Sequence, residues 1–119
     1  MNEVTLNVKQ IVGPKAIENS EGEKIRILIS NNMKHGNNVV VDFKGVTSIL
    51  SLFLNPAIGD LYGEFSEEQV KKQLRIENLP SEYIETFKRV VERAKEFYKD
   101  KEAMSSVLDG KLDKQNGKT

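Results

Sequence analysis

No cysteine occurs anywhere in the chain. That absence removes disulfides, thiolate metal sites and cysteine nucleophiles together. It fits a reducing compartment, and a cytoplasmic location is expected. His35 is the single histidine, so a zinc site would have to rest mainly on carboxylates, which is uncommon. Neither sign of charge is in excess: Lys plus Arg and Asp plus Glu number 18 each. The chain therefore lacks the basic footprint of a nucleic-acid binder. No apolar run approaches the roughly 20 residues that a spanning helix needs, and no membrane association is expected. The opening Met-Asn-Glu-Val-Thr-Leu has no basic region followed by an apolar stretch, so it does not read as a signal peptide. Gly-x-Gly-x-x-Gly, Gly-x-x-x-x-Gly-Lys-Ser/Thr and Gly-x-Ser-x-Gly are all missing, which leaves no phosphate loop and no nucleophile elbow. Neither a cofactor nor an enzymatic activity is expected.

What is present describes one globular domain. The chain has 119 residues, with 38% hydrophobic and 30% charged, a balance that can bury a modest core. Residues 3–9 alternate Val4, Leu6 and Val8 with polar neighbours, which predicts a strand with one buried face. Gly13–Pro14 breaks it. Ser20 to Glu23 has the spacing of a capping box, and the helix that follows carries Ile25, Leu28, Ile29 and Met33 at helical spacing. Gly36 suits its left-handed end. Val39-Val40-Val41 is short and β-branched, and reads as a central strand covered on both faces.

Leu50, Phe53, Leu54, Ile58, Leu61 and Tyr62 then recur with a helical period, with the helix starting near Asn55–Pro56. Ser66 to Gln69 forms a second capping box opening a helix to about Lys72. Leu74 and Ile76 alternate with Arg75 and Glu77 in a short strand. Asn78-Leu79-Pro80 turns the chain. Ser81 is positioned to cap a long helix over 82–99, whose stripe runs Ile84, Phe87, Val90, Val91, Ala94, Phe97 and Tyr98. A last short helix would hold Met104, Val107 and Leu108, and 110–119 reads as a frayed tail. This order predicts an α/β domain over 1–109, with a sheet of about three to five strands packed by helices.

Chemistry-bearing residues concentrate in 37–63, where a strand runs into Asp42, a turn at Lys44–Gly45 follows, and a loop over Thr47 to Ser51 leads to a helix start. Lys44, Thr47, Ser48, Ser51, Asn55 and Pro56 form the candidate partner-binding surface. Ser51 and Ser48 are candidate phosphosites, because a helix N-terminus stabilises a phosphate. The simpler reading of the same serines is structural, with Ser51 or Asn55 serving as a helix cap. His35 sits at a predicted helix end, where it suits the C-terminal carbonyls. Glu64, Glu67 and Glu68 fall at a helix start, where acidic residues favour the dipole.

The run Val39-Val-Val-Asp-Phe-Lys-Gly-Val46, with Thr47-Ser-Ile-Leu-Ser-Leu-Phe-Leu-Asn55 and Ala57-Ile-Gly-Asp-Leu-Tyr-Gly63, resembles the STAS-like family of unknown function, related to the sulphate transporter and anti-sigma factor antagonist domain. The resemblance extends over most of 1–100. It includes the Gly22-containing helix start and the Leu74 to Leu79 strand. It implies a small sheet packed by helices, with the loop after the central strand facing a partner. In true antagonists that loop reads Asp-Ser-Ser-Gly, and a kinase-like ATPase phosphorylates the second serine. Laid on this chain, those positions fall on Leu50, Ser51, Leu52 and Phe53, so leucines replace the acid and the phosphoacceptor.

The expected function is that of a non-enzymatic regulatory module, bacterial or phage in origin. It would dock a protein partner, such as a kinase-like ATPase, through 44–56 and the helix after it. The alternative is a small inhibitor or adaptor of a mobile element that binds a host enzyme or defence protein. A homo-oligomer is a further expectation if the stripe of the long helix is only partly covered.

Overall fold

The computed structural model describes residues 2–115, with side-chain surroundings through Lys101. Strand β1 (Glu3–Asn7) leads into a short helix α1 (Val8–Val12), strand β2 (Lys15–Ala16) and helix α2 (Asn19–Lys34). Strands β3 (Asn38–Asp42) and β4 (Ser48–Ile49) precede helix α3 (Ser51–Ala57) and a 3₁₀ turn over Gly59–Gly63. Helix α4 (Glu67–Gln73), strand β5 (Leu74–Glu77), a second 3₁₀ turn at Ser81–Tyr83 and helix α5 (Ile84–Gln115) complete the chain. The protein is thus mixed α/β, as its periodicities predict.

All strand pairs are parallel. β3 lies between β1 and β5, and β2 pairs with β4 in a separate two-stranded ribbon. The register aligns Val4, Val39 and Leu74 in one row and Leu6, Val41 and Ile76 in another. These rows belong to the core, together with Ile25, Ile29 and Met33 of α2 and Phe53, Leu54 and Ala57 of α3. Val39, Val40 and Val41 are all buried, as expected of a central strand covered on both faces, but the strands on either side are polar on the face opposite the helices. The central row of that face is Thr5, Val40 and Arg75, and Glu3, Thr5 and Arg75 are exposed. Arg75 on one edge strand bonds Glu3 on the other at 3.2 Å and Glu77 on its own strand at 2.9 Å. The Glu3 bond spans β3, and Val40 in that row is only 2% exposed. An ion pair thus runs between the two edge strands across this face. Parallel sheets are usually covered on both faces.

Several boundaries move for local reasons. The strand expected over 3–9 stops at Asn7, because the Asn7 side chain accepts from the Gln10 N–H and caps α1. The expected Ser20 cap is not formed. α2 begins at Asn19 behind Glu18, with no side-chain cap bond. At its other end Gly36 takes φ +82° after His35, as anticipated. Ser66 does cap α4, accepting from the Gln69 N–H at 3.1 Å. Ser81 does not cap α5. It opens the 3₁₀ turn that leads into the helix. α5 continues through Gly110 to Gln115 rather than stopping near 99 and restarting. The rest of the expected tail, 116–119, lies outside the described residues, as do the side chains of Met104, Val107 and Leu108.

Candidate docking surface

β3 delivers the chain to Asp42, whose Oδ1 accepts from the Lys44 N–H at 2.9 Å and from Asn78 Nδ2 at 2.8 Å. These two bonds, the Asn78 amide foremost, hold the Asp42 carboxyl below its ordinary range. They also tie the end of β3 to the end of β5, where Asn78 adopts a left-handed conformation with φ +58°. Gly45 is left-handed as well, at φ +84°. A Cβ there would meet Lys9 Cδ at 2.8 Å. The left-handed turn favours glycine here, and the flexible Lys9 side chain lies over it. Phe43 and Val46 are buried on either side of the turn, with a Val46 N–H to Phe43 carbonyl bond of 2.9 Å.

The Thr47–Ser51 segment is not the loop that its serines and threonine suggest. Ser48 and Ile49 form β4 against Lys15 and Ala16. The Thr47 N–H bonds the Pro14 carbonyl at 2.7 Å and the Leu50 N–H bonds the Ala16 carbonyl at 3.0 Å. From the other side, Tyr83 Oη donates to the Thr47 carbonyl at 3.2 Å. Ser48 is half-buried in this ribbon, whereas Thr47 and Lys44 are exposed.

α3 begins at Ser51, four residues earlier than expected. Leu50 is its N-cap, and no side chain caps it. Neither Ser51 nor Asn55 acts as a cap. Pro56 lies in the last turn rather than the first. It is buried and faces α2, which removes it from the candidate contact surface. Phe53, Leu54 and Ala57 point inward with it, while Ser51, Leu52 and Asn55 share the outer face.

Two further residues belong to that surface. Leu50 is 50% exposed and Leu52 is 55% exposed. The other large exposed apolar residues among those described, Ile27, Ile84 and Phe97, do not adjoin one another in sequence. Periodicity alone places Leu50 in the inward stripe. The signal that singles the pair out is that Leu52 falls out of phase with that stripe, and that both leucines replace the polar residues of the antagonist motif. The patch formed by Leu50, Ser51, Leu52 and Asn55 is uncharged, and the β2–β4 ribbon leads directly into it.

Several titratable groups elsewhere tie elements together. Glu64 follows the first 3₁₀ turn, accepts from the buried Ser30 hydroxyl at 2.6 Å and pairs with Arg26 and, at 3.8 Å, Lys34. Burial pushes its carboxyl up, but the Ser30 and Arg26 hydrogen bonds and the two cations outweigh burial and hold it below the usual carboxylate range. A groove of about 670 Å³ lies between this turn and α5. Within it Lys95 pairs with Glu67 at 3.1 Å and stands 5.8 Å from the Tyr62 ring centroid. Tyr98 packs on Gly63 and donates to Asp60 at 3.0 Å. Burial raises both tyrosines, Tyr98 with the help of its bond to Asp60. His35 Nδ1 lies 2.7 Å from the Asn31 carbonyl at the end of α2, the helix-end role its position suggests. Among the described residues no group of three or more His, Cys, Asp or Glu is arranged to hold a metal ion. No helix there is long and apolar enough to cross a membrane.

No curated protein matches this chain, and no solved structure does. A family model described as a STAS-like domain of unknown function matches residues 21–83. That span runs from the first turn of α2 through β3, β4, α3, α4 and β5 to the Tyr83 clamp on Thr47. The chain belongs to this family of STAS-like domains.

Proposed function

We propose that the chain is a non-enzymatic regulatory module that docks a protein partner through the outer face of the β4–α3 segment, with Leu50, Ser51, Leu52 and Asn55 at its centre and Lys44 and Thr47 at its margin. The observation that carries this reading is the exposure of Leu50 and Leu52 on a rigid, hydrogen-bonded support. Apolar side chains held open to water in this way lower free energy when a partner covers them. Family membership supports a regulatory or interaction role in general terms. In the antagonist relatives of the fold the same segment faces a kinase-like ATPase, and that class is the partner proposed here. Ser51 is the position a partner kinase would modify. Its phosphate would bring charge between the two leucines and weaken apolar docking.

A photo-cross-linking residue at Ser51 or Asn55, introduced into the full chain in its host, tests this. The expected result is one dominant protein adduct at both positions, identified by mass spectrometry as a kinase-like ATPase and lost when Leu50 and Leu52 are both changed to Asp. Adducts that survive the double change, or that appear equally from a probe at exposed Glu85, would place the partner surface elsewhere.

A further inference from the structure

β1 forms one edge of the three-stranded sheet and, among the described residues, pairs with β3 alone. An unpaired edge is a template for another strand, and proteins usually defend such edges with charge, proline or a bulge. The opposite edge is defended. β5 carries Arg75 and Glu77, bonded to each other, and the left-handed Asn78 and then Pro80 turn the chain away. β1 reads Glu-Val-Thr-Leu-Asn, with one charge, no proline, no glycine and no bulge.

The β1 sequence also complements itself when run antiparallel. A two-fold axis normal to the sheet at Thr5 sets Thr5 against Thr5, Val4 against Leu6 and Glu3 against Asn7. Each pair then matches in face. Val4 and Leu6 lie on the helix-covered side, where Val4 is only partly buried. Exposed Glu3 and Thr5 lie on the polar side. No like charges stand opposite one another, and an apolar pair and a Thr–Thr pair are among the favourable cross-strand combinations. We propose that β1 is the pairing edge of a symmetric dimer, in which two copies join antiparallel about Thr5 into one continuous six-stranded sheet.

The absence of cysteine makes the test direct. Thr5→Cys introduces the only thiol, and opposed residues in an antiparallel pair sit about 4.5–5.5 Å apart between Cα atoms, within disulfide reach. Sedimentation of the unmodified full chain should show a monomer–dimer equilibrium. Mild oxidation should link Thr5→Cys far faster than Ser51→Cys. Asn7→Asp keeps a capping oxygen for α1 but sets a carboxylate against Glu3 of the second copy. It should raise the dimer dissociation constant about tenfold at low salt, and adding Glu3→Gln should restore it. A chain that sediments as a monomer at every concentration overturns the proposal. So does a dimer that Thr5→Cys links no faster than Ser51→Cys, or one indifferent to Asn7→Asp.

Discussion

Gly22 and Pro56 meet where α2 crosses α3. A Cβ built on Gly22 would lie 2.6 Å from Pro56 Cγ and closer still to the Phe53 carbonyl oxygen. Backbone cannot rotate out of the way as a flexible side chain can, so Gly22→Ala must push the helices apart. We expect a loss of about 3 kcal/mol, at the upper end of overpacking costs, despite alanine's better helix propensity. Urea unfolding of the variant measures it. A stability equal to that of the unmodified chain would show that the two helices do not cross so closely.

Leucines two residues apart should behave oppositely. Leu54 is fully buried and Leu52 is 55% exposed. Leu54→Ala should cost about 2–5 kcal/mol through lost burial and the cavity it leaves. Leu52→Ala should change stability by no more than about 0.5 kcal/mol. Paired denaturation curves check this, and they establish that any effect of Leu52 on partner capture comes from the surface and not from unfolding.

Serines are separated by the same logic. Ser66 accepts from the Gln69 N–H, and Ser66→Ala should cost about 1 kcal/mol. Ser51 lies inside the first turn of a helix that no side chain caps, so Ser51→Ala should be close to neutral. Thermal melts of the two variants distinguish them. A large loss for Ser51→Ala would restore the capping role that its sequence position suggests.

Acid stability should depend on Glu64. Its carboxyl is held below its ordinary value of 4.5, so the folded state binds its proton less readily than the unfolded chain does. The stabilisation is fully present above the unfolded value and is lost as pH falls through the lower folded value. Melting temperature of the unmodified chain should therefore fall as pH drops below about 4.5. Glu64→Gln should start lower at neutral pH, and its curve should flatten across that acid range. Parallel slopes for the two proteins would show that Glu64 does not carry the effect.

Strong periodicity was legible from the chain alone. The Val39–Val41 run, the α2 stripe ending at Gly36, the Ser66 cap and the middle of the α5 stripe appear where local spacing puts them, whereas the Ser20 and Ser81 caps do not form and Ile84 and Phe97 of the α5 stripe are exposed. Short elements were not legible. β2 and β4 have two residues each, and no periodicity can be read from two residues. They exist because the Thr47 and Leu50 N–H groups find carbonyls on Pro14 and Ala16, more than 30 positions earlier. Pro56 normally marks a helix start, which places α3 too late in the chain. Here it ends a seven-residue helix, and the room left by Gly22 accommodates its ring.

The candidate site divides in the same way. Lys44, Thr47, Ser51 and Asn55 could be picked out by chemistry and turn position. Leu50 and Leu52 could not, because a leucine in an apolar-rich segment reads as core until the helix phase is known. Local pattern and residue inventory are enough for the α/β class, the family, the central strand and the absence of thiol chemistry. Which side of α3 faces water, the inward position of Pro56 and the Arg75–Glu3 pair across β3 emerge only in the folded chain. Those outcomes depend on contacts between residues far apart in the chain, and hydrophobic burial distinguishes an inward leucine from an outward one only once the partner surface is in place.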